Sequence, residues 1–212
     1  MSLPRALRPY TIPGPAGALE VLYRPVRQHD TAGAALICHP HPLFGGTMHS
    51  RVVHRLARAF GDAGFVTLRM NFRGVEGSAG AHDHGIGEVD DALAALDHLQ
   101  KLHGELSLAI AGHSFGAWVG LRATAVRPEV ETVVAAGLPV AVYDFSFLCQ
   151  IRRPLLVVQG DRDNFGPEEE LRAAAVSWSG QVRLAMIAGA DHFFEQHLPQ
   201  LHQRVVGFLR GA

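Results

Sequence analysis

Cysteine is scarce in this chain, with only Cys38 and Cys149 among 212 residues. Two cysteines cannot build a disulfide framework, and their spacing suits no metal site. Reduced thiols in a cytoplasmic protein are the expectation. An excess of charge is also missing. Nineteen Lys and Arg against 20 Asp and Glu leave a formal charge of −1, and the longest basic run is Arg152-Arg153. Neutralising phosphates takes clustered Lys and Arg, so no nucleic-acid partner is expected. A polybasic membrane anchor is excluded on the same ground. No apolar run approaches the length of a membrane span. Met1–Arg5 lack the apolar stretch of a secretory signal.

What the chain does have is a core. Apolar residues make up 48% of it and charged residues 18%, which excludes a disordered chain. The length suits a single domain over 1–212. Short apolar runs at 17–26, 33–38, 65–71, 106–111, 131–136, 154–159 and 181–187 read as strands. Amphipathic stretches lie between them, at 50–61, 87–103, 117–125, 167–176 and 192–210. In the second stretch Val89, Leu93, Leu96 and Leu99 share one helical face. Strands such as Leu155–Val158 are apolar on both faces, as in a parallel sheet covered on both sides. The alternation predicts an α/β fold with a mostly parallel, doubly wound sheet and helices on both faces. The candidates at 8–12 and 19–26 have no helix between them and predict an antiparallel N-terminal hairpin. The 137–153 segment is too short for a cap domain.

The strongest chemical signal is Gly112-His113-Ser114-Phe115-Gly116, between a strand and a helix. This is G-x-S-x-G in the context the motif requires. The turn is so sharp that the residues two before and two after the serine must be small. Ser114 then stands out at the carboxyl end of the sheet as a nucleophile. A serine hydroxyl needs a base, and the motif's partners follow in the order acid, then histidine. His192, just beyond a late strand, is the expected base and opens the last helix. The preceding strand end offers Asp161 and Asp163. Asp163 lies deeper in its loop and is favoured, with Asp161 tying the loop's own amides. Asp144 is the outside candidate. An oxyanion needs N–H donors. Phe115 supplies one from its backbone. The other should come from the 39–46 loop, where Pro40 and Pro42 cannot donate. Of His41, Leu43 and Phe44, Leu43 is favoured.

At these residues the chain resembles the α/β-hydrolases, specifically the small, lidless, dienelactone-hydrolase-like bacterial serine hydrolases. The stretches that carry the resemblance are HPHPLFGGTM at 39–48, LRMNFRG at 68–74, GHSFGAW at 112–118, YDFSF at 143–147, GDRD at 160–163 and GADHFF at 189–194. They span nearly the whole chain. The resemblance implies the α/β-hydrolase fold and Ser114, Asp163 and His192 as a triad. Dienelactone hydrolase itself carries a cysteine at the elbow, where this chain has serine.

Other chemistries find less support. His39/His41 and His82/His84 are i,i+2 pairs, but no third ligand stands at a recognisable spacing, so no metal is expected. No phosphate- or dinucleotide-binding glycine motif occurs, and no cofactor is expected. The leading activity is hydrolysis of a small-molecule carboxylic ester. Thioesterase and peptidase-like acyl hydrolysis are the runners-up. A non-catalytic binding protein on the same fold is the alternative of another class. Without a lid the site is open, and a second copy of the chain, in a homodimer, is one candidate to cover it. Phe44, Phe115, Trp118, Tyr143, Phe145, Phe165 and Phe193 are the candidates to line an apolar pocket.

Overall fold

The computed structural model describes residues 8–26, 31–104, 106–178 and 181–211. The reading of Met1–Arg5 lies outside them. Eight strands form one sheet: β1 (Pro9–Gly14), β2 (Gly17–Arg24), β3 (Gly33–Cys38), β4 (Phe65–Met70), β5 (Leu108–His113), β6 (Val130–Ala136), β7 (Leu155–Gly160) and β8 (Val182–Ile187). Their spatial order is β1-β2-β4-β3-β5-β6-β7-β8. β1 and β2 form the expected antiparallel hairpin, and β2 meets β4 antiparallel. All later pairings are parallel.

Five helices cover the sheet: α1 (Arg51–Asp62), α2 (Ile86–His103), α3 (Phe115–Val126), α4 (Glu168–Ala175) and α5 (Leu198–Leu209). Strand residues point alternately to the two faces, so a strand in mid-sheet feeds two cores. In β3, Ala34, Leu36 and Cys38 pack with residues of α2 and α3, while Ala35 and Ile37 pack with α1 and α5. Every residue of β3, β4, β5 and β7 is buried. Among the described residues, no helix is long and apolar enough to cross a membrane.

Two helices begin elsewhere than expected. α3 starts at Phe115, because Gly116, which reads as a helix breaker, sits inside the first turn. α5 starts only at Leu198, not at His192. Phe194 has a φ of 53°, which no right-handed helix accepts, and residues 192–197 turn back on themselves instead.

One buried ion pair ties the loop after β4 to α2. Arg73 Nε and Nη2 donate to Asp91 Oδ2 and Oδ1 at 3.0 and 2.8 Å, and the Arg73 N–H adds a bond of 3.0 Å to Oδ2. Asp91 is fully buried. Removing one member of such a pair strands the other charge. Asp91→Ala is therefore expected to cost about 3 kcal/mol in urea unfolding, with much of the loss recovered in Asp91→Ala/Arg73→Met. An unchanged unfolding midpoint for Asp91→Ala would rule this account out.

Candidate active site

A single residue, Ser114, separates the end of β5 at His113 from the start of α3 at Phe115. Its φ of 56° and ψ of −120° are strained for a residue with a side chain. The surroundings enforce that strain. A Cβ on Gly112 would run into the Gly116 carbonyl, and one on Gly116 into the carbonyl of His39 at the end of β3. The Ser114 N–H donates to the Ala136 carbonyl of β6 at 3.0 Å. At the first helical position, the Phe115 N–H has no carbonyl one turn back to bond.

The loops after β7 and β8 are stapled together. Asp161 N–H donates to Ile187 O at 3.2 Å, and Arg162 N–H to Ala190 O at 3.0 Å. Asp161 Oδ1 accepts the Gly189 N–H at 2.7 Å. Asp161 thus ties the neighbouring loop, where its own loop was expected. Asp163 and His192 meet across this seam. His192 Nδ1 donates to Asp163 Oδ2 at 2.7 Å, and both residues are buried. The other carboxylate positions are filled as well. Gln159 Nε2 donates to Oδ2 at 2.8 Å, and Phe165 N–H and Gly166 N–H donate to Oδ1 at 2.9 and 3.3 Å. Asp144 stands apart at the surface. It caps Ser146, whose hydroxyl and N–H hold its carboxyl below the ordinary value.

The loop after β3 departs from expectation at Leu43. Its N–H donates to His41 Nδ1 at 3.2 Å, and its side chain is exposed away from the cavity described below. Three other amides of the loop are spent on its own turn: Phe44 N–H and Gly46 N–H on His41 O, and Gly45 N–H on Pro42 O. Of the three candidates His41, Leu43 and Phe44, this leaves the His41 N–H uncommitted, and His41 does line the cavity. Leu43 looked equivalent in the sequence because nothing there shows that a neighbouring side chain takes its N–H.

Ser114, His192 and His41 share the wall of one cavity of about 480 Å³. Among the described residues the Ser114 hydroxyl makes no hydrogen bond, and such contacts commonly tighten only when substrate binds. Of the candidate aromatic residues, Phe44, Tyr143, Phe165 and Phe193 line the cavity, while Phe115, Trp118 and Phe145 are buried in the core. The sequence reading passed over two further groups. Gln159 is fully buried. It accepts the Leu138 N–H at 2.8 Å and donates to Gly166 O at 3.0 Å, besides its bond to Asp163. Its signal was a lone amide closing the apolar run Leu155–Val158. The other is His113, whose Nε2–H donates to the carbonyl of His192 at 2.9 Å.

His113 and His39 are buried and neutral. Burial pushes His113 down to about 3 and His39 down to about 4. His39 Nδ1–H donates to Pro40 O at 2.6 Å and Nε2 accepts the Phe72 N–H at 3.0 Å, so both its nitrogens are committed. Among the described residues, no group of three or more side chains comes together as metal ligands. An unfolded histidine takes up its proton near pH 6.5, whereas these two stay neutral in the folded state to well below that. Below pH 6.5 the unfolded state binds more protons, so stability falls with falling pH. The two histidines together are expected to cost about 2 kcal/mol between pH 6 and 5. Urea unfolding across that range checks this, and a flat profile would contradict it.

Residues 35–202 match the family model described as an alpha/beta hydrolase domain. An uncharacterized protein of Rickettsia prowazekii is 38% identical over 92% of this chain and 86% of its own length. Two solved structures are similar throughout. An alpha-beta serine hydrolase homologue from Coxiella burnetii is 36% identical, with a TM-score of 0.93 over 98% of this chain and 100% of that one. A lidless serine hydrolase from Xanthomonas campestris is 32% identical, with a TM-score of 0.90 over 99% and 96%. With the elbow at Ser114, the strand order and these likenesses in agreement, the chain belongs to the α/β-hydrolase family, as a small member without a lid.

Proposed function

We propose that the protein hydrolyses carboxylic esters through an acyl-enzyme intermediate on Ser114. The observation that carries this reading is the 2.7 Å bond between His192 Nδ1 and Asp163 Oδ2, on a cavity that also holds the strained Ser114. Asp163 accepts the Nδ1–H, which leaves Nε2 of the neutral imidazole as the base. Nε2 takes the Ser114 proton as Oγ attacks the ester carbonyl carbon. The carbonyl oxygen gains negative charge and is met by the N–H groups of Phe115 and His41. The Nε2 proton then passes to the departing alcohol oxygen as the carbon–oxygen bond breaks. Water repeats the sequence on the acyl-enzyme and frees the acid.

Asp163 acts through geometry. With all its acceptor positions engaged, it holds the imidazole in one tautomer and one orientation. Gln159 orients Asp163 in turn, and the His113 bond fixes the backbone of residue 192.

Ser114→Ala is expected to leave folding intact and lower ester turnover about 10⁴-fold. A fluorophosphonate should label Ser114 in the wild-type chain. Full activity in the alanine variant, or an adduct on another serine, would sink the proposal. Asp163→Asn is expected to cost about 10⁴-fold in kcat, far more than Asp161→Asn. The reverse ranking in steady-state kinetics would mean that the acid is misassigned.

A further inference from the structure

Large apolar side chains exposed to solvent gather at this site. Of the eight among the described residues, Phe44, Val142, Phe165 and Phe193 stand on the cavity wall. Phe193 is 56% exposed and Phe165 47%. Exposed apolar groups concentrated in one place mark a binding surface.

Two of them have a defined relation to the chemistry. The Phe165 and Phe193 rings lie 4.6 and 5.3 Å from the His192 ring, centroid to centroid, at interplanar angles of 48° and 86°. Asp163 occupies Nδ1, so the proton delivered to the leaving group departs from Nε2. The atom that receives it must lie against this imidazole, beside which both rings stand. Phe44 stands in the loop after β3, 4.7 Å from the ring of His41. Arg51 and Glu195 are the Arg and Glu residues on the cavity wall. Glu195 lines the cavity three residues after His192. An exposed carboxylate there disfavours a leaving group that carries negative charge, such as a phosphorylated carrier thiol.

Resting on the esterase reading above, we propose that the preferred substrate carries an uncharged, apolar alcohol of several carbons or an aryl group, held by Phe165 and Phe193. Specificity then lies in the alcohol half of the ester.

The test compares kcat/KM for two series on wild type, Phe165→Ala, Phe193→Ala and the double variant. One series is acetates of alcohols from two to eight carbons. The other is ethyl esters of acids from two to eight carbons. Rates are normalised to the Ser114 titrated by a fluorophosphonate, which also reports that each variant is folded. Wild type is expected to gain about twofold per methylene in the alcohol series, half the effect of full burial. The double variant should lose that slope and keep its acyl slope. A flat alcohol series in wild type, or the same slope in the double variant, overturns the proposal. So does an equal loss in both series. Glu195→Lys should shift the ratio of phenyl acetate to 4-carboxyphenyl acetate by about fivefold towards the charged ester at low salt. An unchanged ratio removes the charge argument and limits the claim to apolarity, which the two series decide. Absence of both labelling and turnover sinks the esterase reading and this one with it. Labelling with turnover but no alcohol slope sinks this one alone.

Discussion

The crossing of three backbones at the centre of the sheet is the constraint on which the rest of the structure depends. The first turn of α3 passes so close to the ends of β5 and β3 that neither Gly112 nor Gly116 has room for a side chain. That approach turns Ser114 into an unfavourable backbone conformation and leaves its hydroxyl outside the sheet. The strain is worth about 1–3 kcal/mol. The core on both faces offsets it, since the strands that converge there are buried along their whole length. The same crossing sets the Phe115 N–H beside the loop that follows β3. The exposed Ser114 hydroxyl and the unpaired first-turn N–H of Phe115 therefore share a single origin in the packing.

Around that crossing, hydrogen bonds between the loops after β6, β7 and β8 hold them to one another. Gln159 reaches the loop after β6 through Leu138, Asp161 reaches Gly189, and His113 reaches the carbonyl of His192. The first two join the ends of neighbouring strands, and the third reaches from β5 past β6 and β7 to the loop after β8. An imidazole mounted this way loses little freedom when substrate arrives. Preorganised groups stabilise developing charge without reorganising at the moment of reaction.

Whatever was encoded locally could be read from the sequence. The G-x-S-x-G turn is decided by residues within two positions of Ser114, and the parallel strands by their unbroken apolar runs. Asp163 could be separated from Asp161 because depth in a loop has a direction relative to the next strand. Which amide of the 39–46 loop is left free could not be read. The His41 side chain takes the Leu43 N–H, and its ring sits among His82 and Phe115, with centroids 4.8 and 4.9 Å away, neighbours that the local sequence does not show. The start of α5 was hidden for a similar reason. Nothing in His192–His197 forbids a helix except the positive φ at Phe194, which the packing of that buried ring imposes. The split of the aromatic residues between cavity and core follows from long-range packing, which periodicity does not report.

The strand order has a consequence for how the chain is made. β2 borders β4, and Val21 pairs with Met70, so one edge of the N-terminal hairpin waits for a partner that lies beyond all of β3 and α1. At synthesis rates of about 5–20 residues per second, the wait lasts several seconds. The two edges of the hairpin are treated differently. The outer strand, β1, carries Pro9 and Pro13, which blunt it against strangers. The inner strand has no such guard, since Leu19, Val21 and Tyr23 must be free to enter the core. The nascent chain is thus most open to mispairing at a strand that the finished protein pairs on both edges, and anything that slows translation between β2 and β4 lengthens that exposure.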